Sequence, residues 1–223
     1  AGMYADLGDY NTISLNAPYT PERYIEAITA AEDAGMEVII VDSLSHEWEG
    51  EGGCLEIHAK LGGTFQNWAS VTPRHNKLIN KLLTSSAHII CTVRRKEDYV
   101  ISTNAAGKAK VEKLGMKEVQ REGISYEVDL TFEITNTNHL AIATKDRTNL
   151  FVNTPEFMID VATGEMLKEW ASKGRQEIDD ALESIRNSVN EVELTNIYNS
   201  YINLKTNEDF LGALKLKKES FTK

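Results

Sequence analysis

Two short apolar runs, VIIV at 38–41 and AHIICTV at 87–93, constrain this chain more than any other feature. Both are continuous and rich in β-branched residues, too short for helices, and each directly follows a helical pattern. Runs of this kind mark strands covered on both faces in a parallel sheet. Strand, helix, strand, helix, strand with short connections predicts an α/β fold built on such a sheet.

The punctuation supports the alternation. A first strand is predicted at Thr12–Leu15. In APYTPERYIEAITAAEDAG, Thr20 stands at the N-cap, Pro21 at the first helical position and Gly35 just past the end. Tyr24, Ile25, Ile28 and Ala31 share one face of that helix, the face expected on the sheet. A helical region then runs from about Cys54 to Ser86, broken near LGGTF, with Thr72 and Pro73 opening its second part. From Asp98 the character changes. One hairpin is predicted around Ala106 and Gly107, and a second from VDLTFEIT through NTN to HLAIATKDR, together an antiparallel extension of the sheet. After PEFMID the chain turns helical. Ile178, Leu182, Ile185, Leu194, Tyr198 and Leu211 are the expected contacts of a small C-terminal helical module. The expected domains are 1–172, the α/β core, and 173–223, the helical module.

With 223 residues, 41% hydrophobic, the chain can bury a core in each part. The formal net charge of -10 argues against binding nucleic acid over the whole surface, so any such contact has to be local. No apolar run approaches the roughly 20 residues needed to span a bilayer, and AGMYADLGDY has neither the basic nor the hydrophobic region of a signal peptide. A soluble, cytoplasmic protein is expected, with no membrane partner and with Cys54 and Cys91 reduced.

In an open α/β sheet, ligands bind beyond the carboxyl ends of the strands. Asp42 stands at such an end. IIVDS is the pattern called Walker B, in which the carboxylate holds Mg2+ directly or through water. The same pattern also arises where an Asp caps the next helix. The following strand ends in Thr92, Arg94 and Arg95, placed to sense a phosphate. Lys145 and Arg147 lie two residues apart on one side of an extended segment, and cations presented that way neutralise developing phosphoryl charge. His46 and Glu47 could orient water or the metal shell, or simply cap a polar loop. His46, Cys54 and His58 lack the paired spacing of a zinc site. His75 and His88 read as structural, and Trp48, Phe65 and Trp68 as core more than as a nucleic-acid flank.

Taken in order, YTPERYIEAITAAEDAGMEVIIVDSLSHEWEGEGG, FQNWASVTPRHNKLINKLLTSSAHIICTVRRKEDYV, VEKLGMKEVQREGISYEVDLTFEI and AIATKDRTNLF resemble the RecA-like ATPases of phages and prophages. These are AAA-type P-loop NTPases related to single-strand annealing recombinases, and the resemblance covers roughly residues 3 to 171. It implies a RecA-like core that uses ATP and Mg2+ in phage DNA recombination or annealing. Asp42 would be the Walker B metal ligand, with Ser43, His46 and Thr92 around the nucleotide and Glu47 among the catalytic groups. A γ-phosphate sensor would fall near Arg94. The segment 96–121 takes the place of the DNA-facing loop, so Lys108, Lys110, Lys113, Lys117 and Arg121 would contact single-stranded DNA. Lys145 and Arg147 resemble the basic pair that reaches across a subunit interface in a ring or filament. Phage recombination or replication proteins are further implied partners. One departure stands out: no GxxxxGK[ST] phosphate cradle occurs in the sequence, and the expectation is that it precedes residue 1. The rival expectation is a non-catalytic RecA-fold module that engages a protein partner through its C-terminal helices.

Overall fold

A computed structural model describes residues 8–103 and 109–221, with backbone alone for 98–103, 109–115, 174 and 175. They fall into two compact units, Ala1–Val128 and Asp129–Lys223. The position 172/173 lies inside a continuous helix, Val161–Asn187.

In the first unit, helix α1 (Pro21–Asp33) begins at Pro21 behind an extended Thr20, whose hydroxyl makes no capping bond, and Gly35 takes φ +75° just beyond its end. Strand β1 (Val38–Val41) follows. Short helices α2 (Ser45–Glu49) and α3 (Cys54–Lys60) lead to α4 (Trp68–Leu83), and then to β2 (His88–Cys91). Strands β1 and β2 pair in parallel, from Val38 opposite His88 to Val41 opposite Cys91, as the two apolar runs predict. Tyr24, Ile28, Leu44 and Leu78 form the buried core, with Ile39, Val41, Ile89 and Cys91 packed against it.

Four expectations are corrected here. Thr12–Leu15 is not a strand: it is irregular, with Leu15 packed on the core. Pro73 does not open a helix; it lies inside α4, which starts at Trp68, so one backbone hydrogen bond is forgone early in the helix. The paired strands are covered on one face only among the described residues. Val38, Ile40 and Ile90 are 52%, 66% and 52% exposed, because alternate side chains point away from α1 and α4. The sheet is not extended by the hairpins: each pair of strands forms its own two-stranded sheet. The described architecture is thus mixed α/β with one parallel pair, not a mostly parallel sheet.

Strands β3 (Arg95–Thr103) and β4 (Ala109–Glu118) are antiparallel, from Arg95 opposite Glu118 to Thr103 opposite Ala109, with a register shift at Asp98/Tyr99. The turn expected around Ala106 and Gly107 lies outside the described residues. A single helical turn, α5 (Ile124–Glu127), closes this unit. Two ion pairs link α1 and α4, Glu22 with Arg74 and Glu32 with Lys81. Early residues meet early residues and late meet late, so the two helices run side by side in the same direction.

The second unit starts with the predicted second hairpin, β5 (Leu130–Ile134) against β6 (Ala141–Asp146). Phe132, Phe151 and Phe157 pack beside it with ring centroids 4.9 to 5.6 Å apart. Asp160 and Thr163 make a reciprocal capping box at the start of α6 (Val161–Asn187), satisfying two otherwise orphan amides. α7 (Glu191–Ser200) and α8 (Glu208–Phe221) pack with the distal part of α6 around Ala181, Ile185, Leu194, Leu204 and Phe210. Ile185 and Leu194 are core as expected, and Ile178 packs against them. Leu211 and Tyr198 are 39% and 38% exposed; the centre is Phe210, one position from the expected Leu211. No helix among the described residues is long and apolar enough to cross a membrane.

Candidate functional site

The carboxyl ends of β1 and β2 bring together residues that stand fifty apart in the chain. Thr92 Oγ1 donates to Asp42 Oδ1 at 2.7 Å, and both side chains are exposed. The backbone continues the pairing: Thr92 N–H donates to the Val41 carbonyl and Leu44 N–H to the Thr92 carbonyl, each at 3.0 Å. Arg94 is anchored next to them, its N–H donating to Ser45 Oγ at 2.8 Å. The peptide between Asp42 and Ser43 is cis. Ser43 and Ser45 are buried, so the polar face presented at this end consists of Asp42, Thr92 and Arg94. His46 sits alongside, half-buried, its Nδ1 3.3 Å from Ser43 Oγ and its ring 5.0 Å from that of Tyr19.

Asp42 Oδ2 makes no hydrogen bond among the described residues. One carboxylate oxygen is therefore fixed by a hydroxyl while the other is open, an arrangement that suits a hard divalent cation.

Glu47, expected near the same site, points inward. It is wholly buried, and its carboxylate accepts from Cys54 Sγ at 3.0 Å, from Gln120 Nε2 at 3.2 Å and from His75 Nδ1 at 3.0 and 3.2 Å. An ionised Glu47 can only accept, and in that state His75 Nδ1 is the donor of this pair. Burial, with the Glu47 carboxylate close by, pushes the Cys54 thiol well above its ordinary range. The same two causes push the Tyr24 phenol up to about 12, and that hydroxyl donates to the Ser43 carbonyl at 3.2 Å. Glu47, Cys54 and His75 offer donor atoms within 4.8 Å of one another and could hold a metal ion; hydrogen bonds already account for each of them. His58, one helical turn beyond Cys54, points elsewhere and stacks on Trp68 with ring centroids 4.0 Å apart. The contacts of Glu47 with His75 and Gln120 escape a local reading because they join residues 28 and 73 positions apart.

The glycines after this helix allow the loop to close. A Cβ on Gly53 would lie 2.7 Å from the carbonyl oxygens of Glu47 and His46, and one on Gly52 would lie 2.3 Å from Cβ of Pro18. The loop thus packs backbone against backbone, and the Tyr19 N–H donates to the Glu51 carbonyl at 2.7 Å. Trp48 and Trp68 stack at 5.6 Å, both half-buried. Phe65 is not core: it is 87% exposed, on a single 3-10 turn that nothing among the described residues folds over.

Of the expected DNA-contacting residues, Lys117 and Arg121 line an open groove with Arg95, Glu118 and Glu122. Lys117 pairs with Glu122, and Arg121 Nη1 donates to Asn76 Oδ1 at 3.4 Å. Lys110 and Lys113 lie on β4 opposite Ser102 and Tyr99; Lys108 lies outside the described residues. Lys145 and Arg147 belong to the second unit. Lys145 pairs with Thr131 across the hairpin, and the Arg147 guanidinium lies 3.7 Å from Asp129. Between them, Asp146 takes hydrogen bonds from the backbone of Thr148 and Phe151. Desolvation raises that carboxyl, but the Thr148 hydroxyl and nearby amides outweigh it and hold it below its ordinary value.

A family model described as an AAA domain matches residues 6–159 of this chain, a span that includes the strand-end site, both hairpins and the Lys145–Arg147 segment, and stops just before α6. No curated protein matches, and no solved structure matches.

Proposed function

The chain belongs to the AAA domain family, a P-loop NTPase-like family with nucleotide-binding, ATPase-like function, and on that premise we propose that it is a RecA-like, Mg2+-dependent ATPase acting on single-stranded DNA in phage recombination or annealing. The observation that carries the reading is the Asp42–Thr92 hydrogen bond at the ends of two parallel strands, where open α/β sheets place their ligands. Asp42 acts as the Walker B carboxylate and would hold the metal through its open oxygen. When bound, Mg2+ neutralises phosphate charge.

The remaining roles fall to the chain's own side chains. Thr92 holds the Asp42 carboxylate in one orientation, and Arg94 presents a cation at the adjacent strand end, where a terminal phosphate would bring its negative charge. Ser43 and His46 order the loop that follows Asp42. Glu47 acts indirectly, by fixing α2 through its buried hydrogen bonds, and is not a group that reaches the phosphates. Lys145 and Arg147 act from a neighbouring subunit of a ring or filament, completing its site with positive charge. Lys117 and Arg121, with Lys108, Lys110 and Lys113, follow the backbone of single-stranded DNA.

Measuring ATP hydrolysis by the full-length protein, with and without single-stranded DNA, tests this reading. Mg2+-dependent turnover that rises with DNA is the expected result. Absence of turnover together with absence of nucleotide binding overturns it.

A further inference from the structure

Three residues from three different helices turn their donor atoms toward one another inside the first unit. Glu47 of α2 and Cys54 at the start of α3 are 0% exposed, and His75 of α4 is 3% exposed. Cys54 Sγ and His75 Nδ1 each lie 3.0 Å from Glu47 Oε1, and His75 Nδ1 lies 3.2 Å from Oε2. The three ligand atoms are all within 4.8 Å of one another. Around a tetrahedral ion with metal-to-donor lengths of about 2.0–2.3 Å, neighbouring donors stand about 3.4–3.6 Å apart. Small side-chain rotations therefore bring thiolate, imidazole and carboxylate onto one ion. Because both oxygens of Glu47 face Nδ1, the carboxylate can ligate by its edge, and three residues then supply four donor atoms.

Charge makes the same case. A wholly buried carboxylate is costly unless a cation balances it. Among the described residues no lysine or arginine pairs with Glu47, whose partners are Cys54, His75 and Gln120. Arg74, beside His75 on α4, is committed to Glu22. With a thiol and a neutral imidazole the cluster carries one negative charge; a divalent ion held by thiolate, carboxylate and neutral imidazole carries none. Thiolate with imidazole suits Zn2+, whereas Mg2+ prefers oxygen donors, which separates this cluster from Asp42. We propose that Glu47, Cys54 and His75 form a buried structural Zn2+ site that fastens α2 and α3 to α4. Loading releases the Cys54 proton to solvent and moves the His75 hydrogen from Nδ1 to Nε2, freeing both lone pairs for the metal. Gln120 Nε2, 3.2 Å from Glu47 Oε2, orients the carboxylate from outside the ion's own shell. The competing balance, a protonated His75 with the thiol left neutral, needs no metal and binds none. The site does not depend on nucleotide or DNA binding.

The test uses the full-length protein, dialysed against metal-free buffer, assayed for zinc by elemental analysis and read by X-ray absorption at the zinc edge. About one zinc per chain is expected, with one sulfur at about 2.3 Å and nitrogen and oxygen at about 2.0–2.2 Å. Replacing zinc by Co2+ should give thiolate-to-cobalt charge-transfer absorption that disappears in Cys54→Ser and persists in His58→Ala. Gln120→Met should weaken zinc binding about 10- to 100-fold. A chelator should lower the thermal midpoint of the wild type and leave that of Cys54→Ser unmoved. Wild-type protein that holds no zinc and takes up none on titration with Zn2+ overturns the assignment and leaves protonated His75 as the cation facing Glu47. Zinc bound by nitrogen and oxygen alone, or a cobalt charge-transfer band that survives in Cys54→Ser, puts the ion elsewhere and also overturns it. X-ray absorption reads the wild type alone, so it decides the matter even where Cys54→Ser does not fold.

Discussion

Thr92 Oγ1 and Asp42 Oδ1 lie 2.7 Å apart, joining the two residues that immediately follow the paired strands β1 and β2. A hydroxyl on one oxygen fixes the direction of the other, and groups that orient a metal-binding carboxylate are worth about 10- to 100-fold in metal affinity or activity. Thr92→Val, which keeps the shape and removes the donor, is expected to lower Mg2+-dependent ATP hydrolysis of the full-length protein by that factor. Asp42→Ala is expected to reduce it to background with the thermal transition retained. Equal turnover in Thr92→Val and wild type would detach Thr92 from the site, and unchanged turnover in Asp42→Ala would remove the site itself.

Glu22 and Arg74 tie α1 to α4 through two hydrogen bonds of 2.7 Å. The Arg74 guanidinium holds the Glu22 carboxyl down to about 2, from an ordinary value of 4.5. A group whose folded value is depressed contributes its full stability above the unfolded value, and loses it as pH falls. The contribution is therefore intact above 4.5 and disappears as pH approaches 2. Both side chains are more than a third exposed (46% and 35%), so solvent screening limits it to about 1 kcal/mol. Thermal unfolding across this range should show a steeper acid loss in the wild type than in Arg74→Met, and raised salt should narrow the gap. Parallel pH profiles for the two proteins would contradict the assignment.

The placement of the strand-end residues was legible because it is local: Asp42, Thr92 and Arg94 each follow an apolar run, and parallel pairing of adjacent runs brings their ends together whatever the remainder of the chain does. Glu47 illustrates the opposite case. Its position two residues into a short helix decides whether it faces the strand ends or the interior, and that depends on His75 and Gln120, which no local pattern links to it. The predicted mostly parallel sheet exceeded what two β-branched runs can establish. Strand propensity tells that Val38–Val41 is extended, but Val38 and Ile40 are exposed, so it does not tell how many faces are covered. Phe65 failed for a similar reason, since an aromatic near a turn is placed by whatever packs over it.

Gly53 and Gly164 look alike in sequence and should respond oppositely to alanine. At Gly53 the added Cβ would meet three backbone carbonyl oxygens at 2.7, 2.7 and 2.9 Å, none of which can swing away as a side chain could. Overpacking of this kind costs about 1–3 kcal/mol. Gly164 lies inside α6 with nothing within 4 Å of its Cβ position, so alanine there should stabilise by about 0.5–1 kcal/mol through helix propensity. Chemical denaturation of the two variants gives the comparison directly; a neutral Gly53→Ala would mean that the loop between α2 and α3 relaxes more readily than its backbone contacts allow.

Phe210 and Leu211 provide the sharpest contrast in the helical part of the chain. Phe210 is fully buried among Ala181, Ile185, Leu194 and Leu204, with the Tyr201 and Tyr198 rings 6.1 and 6.5 Å away. Truncation to alanine removes a whole ring from a site lined by three helices that cannot all close in, and costs about 3–5 kcal/mol. Leu211 is 39% exposed, so Leu211→Ala leaves water where the side chain was partly solvated already, and should stay within about 0.5 kcal/mol. Because the core of α6, α7 and α8 depends on that ring, Phe210→Ala should also expose the three helices to faster amide hydrogen exchange, whereas the amides of α1 and α4, with their own core, should exchange as in the wild type. Equal losses for Phe210→Ala and Leu211→Ala would place the centre of this packing elsewhere.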